Sequence, residues 1–282
     1  MNAEESSQAT TPALHARRRA LLATCVAAAA RGAAATRAHA GDGAAREALE
    51  WEEKSRTDFV TVVDRASEAA IAAIVLERHP DATLLAEEGT PDAGLAHDLV
   101  FVADPLDGTT NFLHGFPWYA VSIAALLDGE LAAAATLNVA TGELFTATAG
   151  GGARRGGAPI RVSAIHDPWR ALVGTGLPFK DPDPAHVEHY LAVLPEIMRE
   201  TAGIRRPGSA ALDLADVACG RFDAFWELRL APWDMAAGIL LVREAGGVIT
   251  DLAGAPARVQ HGGVVAGNPA LQPWLLERVR MA

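Results

Sequence analysis

Cysteine is nearly absent. Cys25 and Cys219 are the only two, and neither has a partner at CxxC spacing. That leaves no basis for a disulfide framework, and reduced, buried thiols in a cytoplasmic setting are expected. An excess of positive charge is missing as well. The 282 residues carry a net charge of −11, which disfavours attraction to a nucleic-acid backbone, so no nucleic-acid partner is expected. The short basic runs ARRR (16–19) and RR (154–155) read as solvated faces. No apolar run is long enough to span a membrane, so no membrane partner is expected. The segment from 16 to 42 imitates a secretory signal, with a basic start, a short apolar core and an AHA. The alternative is an ordinary helix, and it is favoured. Leu14, Leu21, Leu22, Cys25, Val26 and Ala29 share one side, and Arg31 and Arg37 interrupt the run.

What is present is a large apolar fraction. Half of the residues are hydrophobic, enough for one large domain or two closely packed halves. Residues 1–11 are polar and read as a disordered tail. A helix is expected over about 12–38, then a glycine-containing break at 40–43. A strand, a charged loop and a short extended piece follow over 47–64, then a helix over about 64–79. ATLLAEEG (82–89) reads as a strand ending in two glutamates. Residues 118–163 alternate strand-like runs with DG, TG and GG turns, the pattern of an antiparallel meander. Beyond residue 166 a short strand (171–176) and helices over 183–201 and 209–220 are expected. Strand FDAFWEL, helix WDMAAGILLVREAGG and strand VITDLAG come next. No internal repeat or long linker is visible, and mixed helices and sheets indicate a layered α+β architecture.

The stretch LVFVADPLDGTTNF (99–112) is the chemically informative one. Leu99 to Ala103 reads as a buried strand, yet Asp104 and Asp107 follow it closely. Two such carboxylates repel, and each is costly to bury unpaired. One reading is a solvent-exposed Asp-Pro and Asp-Gly turn. The other is a pair of hard oxygen ligands for Mg²⁺, beside Gly108, Thr109 and Thr110 opening a helix toward an anion. Glu87 and Glu88 end a strand-like run, and adjacent residues on a strand face opposite ways. Only one of them can then join the site. Asp234 starts an apolar helix, where an acidic residue is favourable merely as a cap. His186 and His189 form an H-x-x-H without an evident third ligand and read as surface residues.

The combination of DPLDGTTNF (104–112), WDMAAG (233–238) and a preceding EE pair resembles the inositol monophosphatase family. Supporting segments run almost end to end. They include EKSRTDFVTVVD (53–64), HGFPWYAVSIA (114–124), GTGLPFK (174–180) and RRPGSAALDLADVACGRFDAFWEL (205–228). The resemblance implies a layered αβαβα sandwich and a single phosphatase domain over 12–282. Its subregions would be about 12–165 and 166–282, with the active site between them. It implies Mg²⁺-dependent, lithium-sensitive hydrolysis of a small-molecule phosphate monoester by direct attack of metal-activated water. Glu87, Asp104 and the Leu106 carbonyl would hold one ion, and Asp104, Asp107 and Asp234 a second. A third would lie near Glu87. Thr109 and Glu87 would orient the water, and Gly108, Thr109 and Thr110 would hold the phosphate. Gly208, Ser209, Ala210 and Glu227, with Asp107 and Asp234, would meet the substrate. Lys54 and Asp64 would support the metal site, although a solvated loop lysine and a helix cap are their plainer readings. Thr110 stands where the nucleotide-bisphosphate branch carries a basic residue. Inositol 1-phosphate is therefore the favoured substrate, with histidinol phosphate and fructose 1,6-bisphosphate as alternatives. A homodimer is implied too. Some relatives bind transcription machinery, so a non-catalytic binding protein of the same fold is the reading from another class.

Overall fold

The computed structural model describes residues 3–39, 51–55, 58–178 and 184–280, and side chains are described from Pro12 onward except those of 51–61. The glycine-containing break at 40–43 and the Lys54 side chain lie outside the described residues. Helix α1 (Ala3–Ala38) starts before the expected residue 12 and runs through Pro12. Strands β1 (Trp51–Ser55) and β2 (Asp58–Thr61) pair antiparallel and lead into α2 (Val62–Arg78).

A seven-stranded sheet follows. Strand β3 (Thr83–Ala86) pairs parallel with β4 (Leu99–Asp107). The expected meander then continues antiparallel through β5 (Ala120–Leu127), β6 (Glu130–Asn138), β7 (Leu144–Thr148), β8 (Gly152–Arg155) and β9 (Ala158–Pro159). Between β4 and β5 the chain makes the short helix α3 (Thr109–Leu113). The second half contributes β10 (Leu172–Thr175), α4 (Pro184–Glu200), β11 (Gly203–Arg205), α5 (Ala210–Ala218) and β12 (Ala224–Leu230). Next come α6 (Pro232–Glu244), β13 (Val248–Thr250), β14 (Gly262–Gly267) and α7 (Leu271–Val279). Its strands form a five-stranded sheet in the order β11-β10-β12-β14-β13.

Strand alternation sorts the core into layers. Along β5, Val121, Ile123 and Ala125 pack with Leu21, Cys25 and Ala29 of α1 and Ile71 and Val75 of α2. Ala120, Ala124 and Leu126 face the other way, toward Leu212 and Leu214 of α5 and Ile239 and Leu240 of α6. The far side of that helical pair meets the second sheet through Phe225, Ile249, Val264 and Ala266. The opposite faces of β12 and β14 carry Trp226, Leu228 and Val265, which pack with Tyr190 of α4 and Leu275 of α7. The order is helix pair, sheet, helix pair, sheet, helix pair, the αβαβα sandwich that the family resemblance implies. Cys25 is buried in the first layer, where burial pushes its thiol up to about 12. Among the described residues no helix is long and apolar enough to cross a membrane.

Candidate active site

The site gathers at one end of β4, where the seven-stranded sheet meets the N-termini of α5 and α6. Side chains alternate along a regular strand, so residues three apart point to opposite faces. Asp104 and Asp107 escape that rule. Asp104 pairs with Ser122 of β5 and Asp107 with Ala120, so three steps on β4 oppose two on β5. The extra residue makes a bulge between Asp104 and Asp107, a stretch that contains Pro105, which has no N–H to give a ladder. It turns both aspartates to the same side. The strand thus runs on past Ala103 to Asp107 in place of an exposed turn, and Asp104 is buried.

Carboxylate oxygens of Asp104, Asp107 and Asp234 lie within 4.8 Å of one another. Backbone amides orient all three. Asp104 Oδ1 accepts from Leu106 N at 2.9 Å, Asp107 Oδ2 from Ala211 N at 2.8 Å, and Asp234 Oδ2 from Ala231 N at 2.7 Å. Ser209, the N-cap of α5, also donates its hydroxyl to Asp107 Oδ2 at 2.6 Å. The cap reading of Asp234 thus holds in a modified form. It is the third residue of α6, not its N-cap, and it reaches back to the Ala231 amide. Burial holds the Asp104 carboxyl well above the usual range, and the charges of Glu87, Asp107 and Asp234 push it further the same way. A buried carboxylate crowded by three others suits a hard, oxygen-seeking divalent cation, and this cluster could hold one.

Glu87 is near enough for its charge to act on Asp104. The strand argument that placed one glutamate in and one out does not apply, because β3 ends at Ala86 and both glutamates lie in the following turn. Glu68 of α2 holds that turn. Its carboxylate accepts from Glu88 N at 2.8 Å and Gly89 N at 2.7 Å. Glu68 carried no signal in the sequence, since an acidic residue on an amphipathic helix is ordinary.

Thr109 begins α3 behind Gly108, which adopts a left-handed conformation at φ +91°. The Thr109 hydroxyl lies 3.0 Å from Asp64 Oδ1 and 3.0 Å from the Leu106 carbonyl. Asp64 sits in the first turn of α2 and is buried, as a partner of Thr109 and not as an N-cap. Asn111 ties the two halves of the site. Its side-chain amide approaches the carbonyls of Trp118 (2.6 Å), Pro207 (2.9 Å) and Gly208 (3.3 Å). Gly208 and Ser209 are thereby set against the Gly108 turn, and Ala210 opens α5.

Glu227 projects from β12 beside α4 and α5, where its charge reaches Tyr190 and Asp213. Asp213 is a further acidic residue that the sequence reading passed over. It is buried in α5, and burial first, then Glu227 and Asp107, hold its carboxyl well above the usual range. Arg229 is exposed. His189 bonds the Val279 carbonyl at 2.9 Å, tying α4 to α7.

Comparison with known proteins agrees with this geometry. The family model described as "Inositol monophosphatase family" matches residues 18–282. A Nus factor SuhB of Pseudomonas aeruginosa is 47% identical over 218 residues, covering 77% of this chain and 80% of that protein. An inositol-1-monophosphatase of Rhizobium meliloti is 44% identical over 227 residues, 80% of this chain and 85% of that one. Among solved structures, an extragenic suppressor protein suhB from Bartonella henselae superposes with a TM-score of 0.86 at 38% identity. It covers 93% of this chain and 99% of its own. An inositol monophosphatase from Anabaena gives 0.79 at 31%, covering 93% and 95%. With its layered sandwich and its acidic cluster at the DPLDGTTNF loop, the chain belongs to the inositol monophosphatase family.

Proposed function

We propose that the protein is a Mg²⁺-dependent phosphate monoester hydrolase acting on inositol 1-phosphate. The observation that carries this reading is the Asp104, Asp107 and Asp234 cluster lying beside the Gly108 turn. Glu87, Asp104, the Leu106 carbonyl, Asp107 and Asp234 would hold two or three Mg²⁺ ions. When bound, the ions supply charge neutralisation for a dianionic phosphate and activate the attacking water. The Thr109 hydroxyl donates a hydrogen bond to Asp64 Oδ1, which leaves its oxygen lone pairs to accept from and orient that water. Backbone amides of Gly108, Thr109 and Thr110 hold the non-reacting phosphate oxygens. Ser209 keeps Asp107 fixed while Gly208, Ala210 and Glu227 face the alcohol half of the ester. A carboxylate at Glu227 suits vicinal hydroxyls.

The choice of ester is tested by phosphate release with Mg²⁺ from inositol 1-phosphate, histidinol phosphate and fructose 1,6-bisphosphate. Inositol 1-phosphate is expected to give the highest kcat/KM, and millimolar Li⁺ to suppress the activity. A preference for histidinol phosphate keeps the chemistry and moves Glu227 to an ammonium partner. Activity untouched by Li⁺ counts against the family mechanism. A second reading comes from the name Nus factor carried by relatives 42–47% identical to this chain. It supports the binding-protein alternative raised from the sequence, as a role beside catalysis that is compatible with the same fold. The homodimer and the cytoplasmic setting belong to the same proposal as the enzyme.

A further inference from the structure

Gly176 follows β10 directly, in a stretch where β10 and β12 run parallel with Thr175 paired to Trp226. One step on, Gly176 N–H approaches the Trp226 carbonyl at 3.4 Å, which places Gly176 beside Glu227. Neighbours in parallel register send their side chains to the same face. Gly176 has no side chain, and the Glu227 carboxylate occupies that place. A Cβ at Gly176 would stand 2.0 Å from Glu227 Cδ and 2.1 Å from each of its carboxylate oxygens. Those are its three nearest neighbours, and all belong to the end of one flexible side chain. Gly176 is not among the glycines with positive φ, so its backbone conformation is open to any residue. What glycine supplies here is room.

We infer that Gly176 is a specificity-determining residue. It lets Glu227 lay its carboxylate against the main chain, and so fixes where the hydroxyls of a polyol phosphate are met. The inference rests on the reading of Glu227 as the hydroxyl-binding carboxylate. A methyl group at 176 meets no backbone atom among those nearest neighbours, so the fold can keep its path while the carboxylate swings away. Tyr190 and Asp213, whose protonation feels the charge of Glu227, mark the side on which the carboxylate belongs.

The test is a cycle of Gly176→Ala, Glu227→Ala and the double variant. The quantity read is kcat/KM for inositol 1-phosphate divided by that for 4-nitrophenyl phosphate, which offers no hydroxyls. Glu227→Ala should lower this ratio about tenfold or more, as expected for a lost charge-assisted hydrogen bond. Gly176→Ala should lower it to a similar extent, and the double variant should fall no further than Glu227→Ala alone. A ratio unchanged by Gly176→Ala but lowered by Glu227→Ala overturns the inference and leaves the reading of Glu227 intact. A ratio unchanged by Glu227→Ala removes that reading, and the inference with it. Should alanine at 176 lower the melting temperature, the loss must vanish in the Glu227→Ala background, where the carboxylate is gone. Its persistence there would place the clash elsewhere and refute the assignment.

Discussion

Replacing Asp104 by asparagine is expected to reduce Mg²⁺-dependent phosphate release about a thousandfold or more while leaving the metal-free protein at least as heat-stable. Asparagine keeps the volume and retains an oxygen for the Leu106 amide. What it removes is a buried negative charge facing Glu87, Asp107 and Asp234. The pH dependence follows from the same shift. Folded Asp104 holds its proton to higher pH than the unfolded chain does. Between those two values the folded state binds more protons, so stability falls as pH rises across the interval. Asparagine does not titrate. The melting temperature of metal-free Asp104→Asn should therefore exceed that of the parent most clearly at neutral pH and approach it in acid. Calorimetric titration with Mg²⁺ should show weakened binding in the same variant. Lost activity accompanied by lost stability and unaltered Mg²⁺ binding would contradict the role given to Asp104.

The second large effect is expected at Gly108. Alanine there faces two obstacles. The left-handed φ of +91° is strained for any residue with a Cβ. The Cβ would also stand 2.9 Å from the Trp118 carbonyl oxygen and 3.3 Å from that of Gly208, both main-chain atoms that no rotamer change can move. Gly142 supplies the comparison. Its φ is +75°, but nothing lies within 4 Å of a Cβ placed on it. Gly142→Ala should therefore show the conformational cost alone, about 1 kcal/mol, with activity retained. Gly108→Ala should cost about 2 to 4 kcal/mol in urea denaturation. It should also lower kcat/KM about a hundredfold, because Asp107 and Thr109 flank it and small displacements at a reacting centre are expensive. Equal effects of the two substitutions would show that the close approach of the Gly108 and Gly208 turns is unimportant.

Legibility from sequence divided along physical lines. Helices α4, α5 and α6 and the meander were legible from apolar pattern and from Asp-Gly or Gly-Gly turns, because local pattern decides them, whereas β14 and α7 at the end of the chain were not expected. Nor was the start of α1, since an alanine-rich stretch continues helical through polar residues and a proline. At the site, the acidic identities of Asp104, Asp107 and Asp234 were plain. How Asp104 and Asp107 come to face the same way was not, because the bulge exists only in the pairing with Ser122 and Ala120. The Glu87–Glu88 segment showed the opposite failure. A strand rule was extended one turn too far, past Ala86. Glu68 and Asp213 were invisible for a third reason. Each acts across space on partners distant in the chain, and each looks locally like an unremarkable helical carboxylate. Gly176 belongs with them, because its role appears only once Glu227 is seen lying on it.

If the carboxylates around Asp104 form a metal-dependent phosphatase site, the protein must release phosphate only when a divalent cation is supplied. The most direct measurement is steady-state phosphate release from inositol 1-phosphate by the purified protein, titrated with Mg²⁺ from a chelated start. No release is expected in chelator, with a saturable rise as Mg²⁺ is added and its disappearance in Asp104→Asn. Release that persists in chelator, or none from any phosphate ester while Mg²⁺ binds the wild-type cluster, would contradict that expectation.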